Sequence, residues 1–177
     1  MYLIGLDFGT TNFKALLYSA DGKIVRQATV PTPTHYNAAG FAEYYPEELF
    51  DRVLTILAAL LDGFPHKDAI KALSFASMAE TGVALDGHGK PLAPAIAWFD
   101  RRTMGIAEEI ANRYDPYEVY KIAGMQLSHV PSVCKILWEK QHLPKIHNQT
   151  RQWVFVCNYL AYRLSGELCT DPSQACR

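Results

Sequence analysis

Residues 2–6 are apolar without alternation, and the run stops at Asp7, Gly9, Thr10, Thr11, Asn12 and Lys14. A short unbroken apolar run reads as a strand buried on both faces, with Asp7 emerging where it ends. The next twenty residues narrow the fold. Residues 12–19 alternate in polarity, Asp21-Gly22 is a turn pair, and residues 23–30 read as a further extended segment. The chain therefore opens on three strands joined by tight bends. The first bend has two readings. Asp7 is a carboxylate able to hold Mg²⁺, Gly9 lets the backbone approach a phosphate, Thr10 and Thr11 offer donors, and Lys14 adds positive charge. Equally, a hairpin whose polar residues only satisfy turn geometry carries this pattern.

A length of 177 residues suits one domain and is short for two. The net charge of −1 gives no reason to expect nucleic acid or an anionic membrane as partner, so a small molecule is the expected one. Residues 1–6 lack a basic n-region, and the longest apolar stretch, residues 53–61, is too short to span a bilayer. A cytoplasmic location is expected. Cys134, Cys157, Cys169 and Cys176 show no C-x-x-C spacing, so they read as buried, reduced thiols rather than a zinc or redox motif.

Further along, residues 31–45 are rich in Pro, Gly, Asn and Thr without a period and read as a surface loop. Pro46, with Glu47 and Glu48 behind it, opens a helix whose apolar stripe is Leu49, Phe50, Val53, Leu54, Leu57, Leu60 and Leu61. Residues 71–76 and 83–85 look like strands flanking a polar segment, Ser77 to Thr81, and residues 95–98 like a shorter one. Asp100 is positioned to cap a helix running to about Arg113, and Asp115-Pro116 starts another. A helix opening at Pro131 is expected to bury Val133, Ile136 and Leu137, and a last one over residues 157–164 stops at Gly166. Strands come first and helices dominate the second half.

Four stretches in this order are shared with a known family. They are Gly5-Leu-Asp-Phe-Gly-Thr-Thr-Asn-Phe-Lys14; Ser74 to Arg102, ending Pro94-Ala-Ile-Ala-Trp-Phe-Asp-Arg-Arg102; Ala123-Gly124 with Lys135-Ile-Leu-Trp138; and Tyr159-Leu-Ala-Tyr-Arg-Leu-Ser-Gly-Glu167 with Thr170-Asp-Pro-Ser-Gln-Ala175. In these the chain resembles the N-terminal half of FGGY-type carbohydrate kinases, the group containing glycerol, xylulose and gluconate kinases. The resemblance implies an α/β, ribonuclease H-like (actin-like ATPase) domain with a five-stranded mixed sheet flanked by helices. Residues 1–177 would form the sugar-binding domain, incomplete at its C-terminus, with the ATP-binding domain absent from this chain. A homodimer stays open.

The same resemblance implies ATP and Mg²⁺ as cofactors and a sugar or polyol as substrate. Asp7 would handle Mg²⁺, and Gly9, Thr10, Thr11, Asn12 and Lys14 would lie along the transferring phosphate. The general base would lie outside this chain, so the isolated fragment is expected to be inactive, and Asp171 is expected to brace the loop after the last helix. Substrate contacts would come from Met78, Ala79, Glu80 and Trp98. Asp100 and Arg102 either bind sugar hydroxyls or pair and cap a helix. Where glycerol kinase-like members read Asn-Gln-Arg-Glu-Thr, this chain reads Ser77-Met-Ala-Glu-Thr81, so Glu80 keeps the glutamate while Ala79 replaces the arginine. The small residue leaves room for a substrate longer than a triose. The family's segment corresponding to His129 borders the sugar pocket, but the favoured reading of His129 itself is a histidine without a functional role. Two other readings stand beside the kinase: a non-catalytic ligand-binding relative, and an actin- or Hsp70-like ATPase, against which residues 98–102 and 159–175 argue.

Overall fold

The computed structural model describes residues 1–175 of the chain, so Cys176 lies outside the described residues. In chain order the first half holds strands β1 (Tyr2–Phe8), β2 (Asn12–Ser19), β3 (Ile24–Pro31), β4 (His35–Tyr36) and β5 (Ala42–Tyr44), helix α1 (Pro46–Leu61), and strands β6 (Ile70–Ser77), β7 (Gly82–Leu85) and β8 (Ala95–Ile96). The second half holds helices α2 (Met104–Arg113), α3 (Pro116–Ala123), α4 (Ser132–His142) and α5 (Pro144–Gln149), strand β9 (Gln152–Phe155), and helices α6 (Val156–Ser165) and α7 (Pro172–Ala175).

The opening strands form a mixed sheet in the order β3-β2-β1-β6, antiparallel except where β6 runs parallel to β1. A second, antiparallel sheet runs β4-β5-β8-β7-β9. The architecture is the expected α/β mixture, but the described residues give the mixed sheet four strands rather than five. Residues 31–45 are not a plain surface loop: they contribute β4 and β5, whose Ala42 and Tyr44 are buried. Strands of two or three residues are too short to show a period of two.

Contrary to the reading of a strand covered on both faces, β1 alternates. Ile4, Leu6 and Phe8 are buried in one cluster with residues of α1 and α6, while Leu3 and Asp7 lie on the exposed face. α1 buries Leu49, Val53, Ile56 and Leu60, the positions a 3.6-residue repeat aligns, and Leu54, expected in that stripe, is exposed. α2 begins at Met104, so Asp100 does not cap it. Asp115 does cap α3, its carboxylate accepting the amides of Tyr117 and Glu118.

The largest departure is α4. It buries Ser132, Cys134, Lys135 and Glu139, while Val133 is 48% exposed and Ile136 and Leu137 are only partly covered. The helix turns a polar face inward because it lies against a polar site rather than the apolar core. Of the cysteines, Cys134 is buried, Cys157 half-buried and Cys169 exposed, all as free thiols. Burial raises the first two thiols above their ordinary pKa, and the expectation of uniformly buried cysteines fails at Cys169.

Candidate functional site

The bend between β1 and β2 is first a turn. The Gly9 amide donates to the Asn12 carbonyl at 3.1 Å, and the Thr32 hydroxyl donates to the Gly9 carbonyl at 2.7 Å. A Cβ on Gly9 would lie 2.9 Å from the Asn12 carbonyl, so the turn by itself demands glycine. The exposed side chains around it are not consumed by that geometry. Asp7 pairs in register with Lys14 across the two strands, and among the described residues neither makes a side-chain hydrogen bond or ion pair. Thr11 is exposed and Thr10 and Asn12 half-buried at the same end of the sheet.

The parallel pairing of β6 brings a second segment to this end. Ser77 registers with Phe8, and the Met78 amide donates to the Phe8 carbonyl at 3.0 Å. The chain then turns through Glu80 at φ 59°, a left-handed conformation that a side chain other than glycine adopts rarely and at some cost. Glu80 is 2% exposed; its Oε2 accepts the Ser132 hydroxyl at 3.0 Å, and its Oε1 is buried with no partner. A depression of about 360 Å³ opens here, lined by Thr10, Met78, Ala79, Glu80, Trp98, Met125 and Val130.

Trp98 links this depression to the β1–β2 bend. Its indole N–H donates to the Thr10 hydroxyl at 3.0 Å, its amide donates to the Thr81 hydroxyl at 3.2 Å, and the residue is 38% exposed rather than in the core. Asp100 and Arg102 do not line the depression. Asp100 Oδ2 accepts the Ala42 amide at 2.6 Å, and Oδ1 accepts the Arg102 amide and Nε, both at 2.8 Å. Burial raises the Asp100 carboxyl, and the bonds from Arg102 and Ala42 more than reverse this, holding it below the usual carboxylate range. Arg102 also donates to Glu43 at 2.9 Å and stacks over the Phe41 and Trp138 rings. The pair joins the β5 strand to the loop after β8 and to α4.

Sequence reasoning missed the residues behind the depression. Lys135 is fully buried, its ammonium donating to the Val130 carbonyl. Burial lowers its pKa to about 8, against the opposing pull of Glu80, Cys134 and Asp100. Glu139 is buried too, and its carboxyl is pushed up to about 7 by burial, with Arg102 opposing. The signal that could have found Lys135 is its place in the Lys135-x-x-Trp138 stretch, one of the four shared motifs. His129 offers its carbonyl to the Thr103 hydroxyl at 2.7 Å, and its neighbour Val130, not the histidine, lines the depression. Asp171 lies elsewhere, beside Ser77 and Cys157 in a separate depression of about 420 Å³.

The profile of the FGGY family of carbohydrate kinases, N-terminal domain, matches residues 2–177. The chain is 32% identical over 174 residues to the gluconokinase of Bacillus subtilis (strain 168), covering 98% of this chain and 34% of that protein. It is 32% identical over 181 residues to the glycerol kinase of Thermococcus gammatolerans (strain DSM 15229 / JCM 11827 / EJ3), covering 99% of this chain and 36% of that protein. The solved structure of a ligand-bound xylulose kinase from Lactobacillus acidophilus superposes with a TM-score of 0.91 at 30% identity, covering 99% of this chain and 35% of that one. The chain thus spans about a third of the length of the curated relatives it matches.

Proposed function

Because the chain belongs to the FGGY family of carbohydrate kinases, we propose that it forms the substrate-binding half of an enzyme that transfers phosphate from ATP to a sugar or polyol hydroxyl. The observation that carries this reading is Glu80, which lines a depression between Trp98 and the Thr10 turn and whose Oε1 is buried without a hydrogen-bond partner. A buried acceptor left empty is costly, and a substrate hydroxyl is the donor it lacks. Trp98 offers its exposed ring to the carbon face of such a molecule. Met78 and Ala79 complete that wall. Asp100 and Arg102 act one layer back, holding the β5 strand.

Phosphoryl transfer asks for positioning and charge neutralisation more than for covalent chemistry. The bend supplies exposed groups suited to this. Mg²⁺ takes one or two carboxylates and completes its shell with phosphate oxygens and water. Asp7 is the carboxylate that would hold it, and bound there it would neutralise developing phosphate charge. Gly9, Thr10, Thr11 and Asn12 line the phosphate side, and Lys14 contributes charge from β2. The base that takes the hydroxyl proton lies beyond these residues.

The substrate is neutral and longer than a triose. No cationic side chain lines the depression among the described residues, and Glu80 already sets a carboxylate there. A sugar acid would bring a second carboxylate against it; like charges 4 Å apart repel by about 4 kcal/mol at an effective dielectric of 20. Ala79 leaves the length. A coupled ADP-release assay of the full-length gene product against glycerol, pentitols, ketoses, aldoses and aldonates tests this. Turnover of a neutral polyol or sugar longer than three carbons is expected. Preference for glycerol or an aldonate overturns the substrate reading, and no turnover at all overturns the kinase.

A further inference from the structure

We infer that Ser132 and Lys135 on α4 are positioning residues that determine how Glu80 meets the substrate, an inference that rests on the substrate role proposed for Glu80. A carboxylate has two equivalent oxygens, and which one faces a ligand is decided by what holds the other. Here the Ser132 hydroxyl donates to Oε2 at 3.0 Å, and the buried Oε1 of this depression-lining residue is left without a partner. Ser132 is itself 4% exposed, so this hydrogen bond is shielded from water.

Lys135 follows three positions later on the same helix face, fully buried. Its ammonium donates to the carbonyl of Val130, a residue that lines the depression together with Met78 and Glu80 of the turn after β6. One cation therefore secures a pocket-lining backbone segment while lying in the field of the Glu80 carboxylate. A buried ammonium and a buried serine are expensive placements for a helix with a merely structural task, since apolar side chains would fill the same space without desolvation cost. α4 instead exposes Val133 and turns Ser132 and Lys135 inward. Glu80 needs such support, because its left-handed backbone persists only where the surroundings fix it.

The test is a double-mutant cycle in the full-length gene product, using whichever neutral sugar or polyol it turns over. Ser132→Ala is expected to raise KM roughly tenfold, as the loss of a hydrogen bond to a charged group does, with kcat within about twofold. In a Glu80→Ala background the same change adds nothing, and Ser132→Thr restores most of the wild-type KM. Lys135→Met raises KM in the same way, with no further effect once Glu80 is alanine. Because Lys135→Met removes a buried group, its melting temperature is measured alongside, and Ser132→Ala alone suffices if it fails to fold. Unchanged KM in Ser132→Ala, or equal losses with and without Glu80, overturns the inference while leaving the kinase reading intact. Absence of turnover by the wild-type protein overturns both.

Discussion

Glu139 puts a carboxyl where water scarcely reaches, and that has a consequence for stability. Its pKa rises from an ordinary 4.5 to about 7 in the folded chain, through burial that Arg102 only partly offsets. With the folded value above the unfolded one, the unfolded chain gives up its proton first as pH rises. This group therefore costs nothing near pH 4 and progressively destabilises the fold from about 4.5 up to 7. Lys135, lowered to about 8, is charged in both states over that range and adds no slope until higher pH. Glu139→Gln is expected to flatten the decline between pH 5 and 7 and to raise the melting temperature at pH 8 by roughly a few degrees. Thermal melts of both proteins across this range check it; parallel curves contradict it. Glu80 and Trp98 were legible in the sequence because they stand in a motif. Lys135 and Glu139 were not, because charged side chains are expected in solvent unless something polar receives them. Asp100 and Arg102 were legible as a pair, though not as the brace between β5 and α4.

Among the elements, the long ones announced themselves. The β1–β2–β3 meander follows from an apolar run, an alternating run and a turn pair, and α1 from its proline start and its stripe. Of the antiparallel sheet only β7 and β8 were legible; β4, β5 and β9 were hidden because they have at most four residues each, and their pairing depends on partners far away in sequence. One contact dominates where β7 meets β9. Gly82 lies against the Trp153 indole so closely that a Cβ would sit 2.3 Å from ring carbons. Gly82→Ala is expected to cost about 1–3 kcal/mol by overpacking, and Trp153→Leu in the same chain to recover part of it. Urea unfolding of the single and double variants measures this; a Gly82→Ala chain as stable as wild type would mean the ring is not held there. The turn into Glu80 immediately precedes this strand, so the same contact steadies the site.

Across the molecule, topology makes the site. Parallel pairing of β1 with β6 sets the Asp7 turn beside Met78–Glu80, and the second sheet carries Trp98 across to Thr10. The sequence motifs named these pieces without saying what lay behind them, since α4 shows its role only when folded against Glu80. Among the described residues Glu80 is the only ionisable side chain lining its depression, and it serves there as an acceptor, so the isolated 177-residue chain is expected to release no ADP with any sugar. Turnover by that purified fragment would show a base within it. The proposed function turns on the free oxygen of Glu80 receiving a substrate hydroxyl. Its sharpest test is kcat/KM of the full-length gene product for its preferred neutral substrate, compared with Glu80→Ala. A fall of roughly 100-fold or more is expected, carried mainly by KM, as when a charged acceptor for a substrate hydroxyl is removed; values within about twofold of each other, in a variant that melts at the wild-type temperature, would refute that role for Glu80.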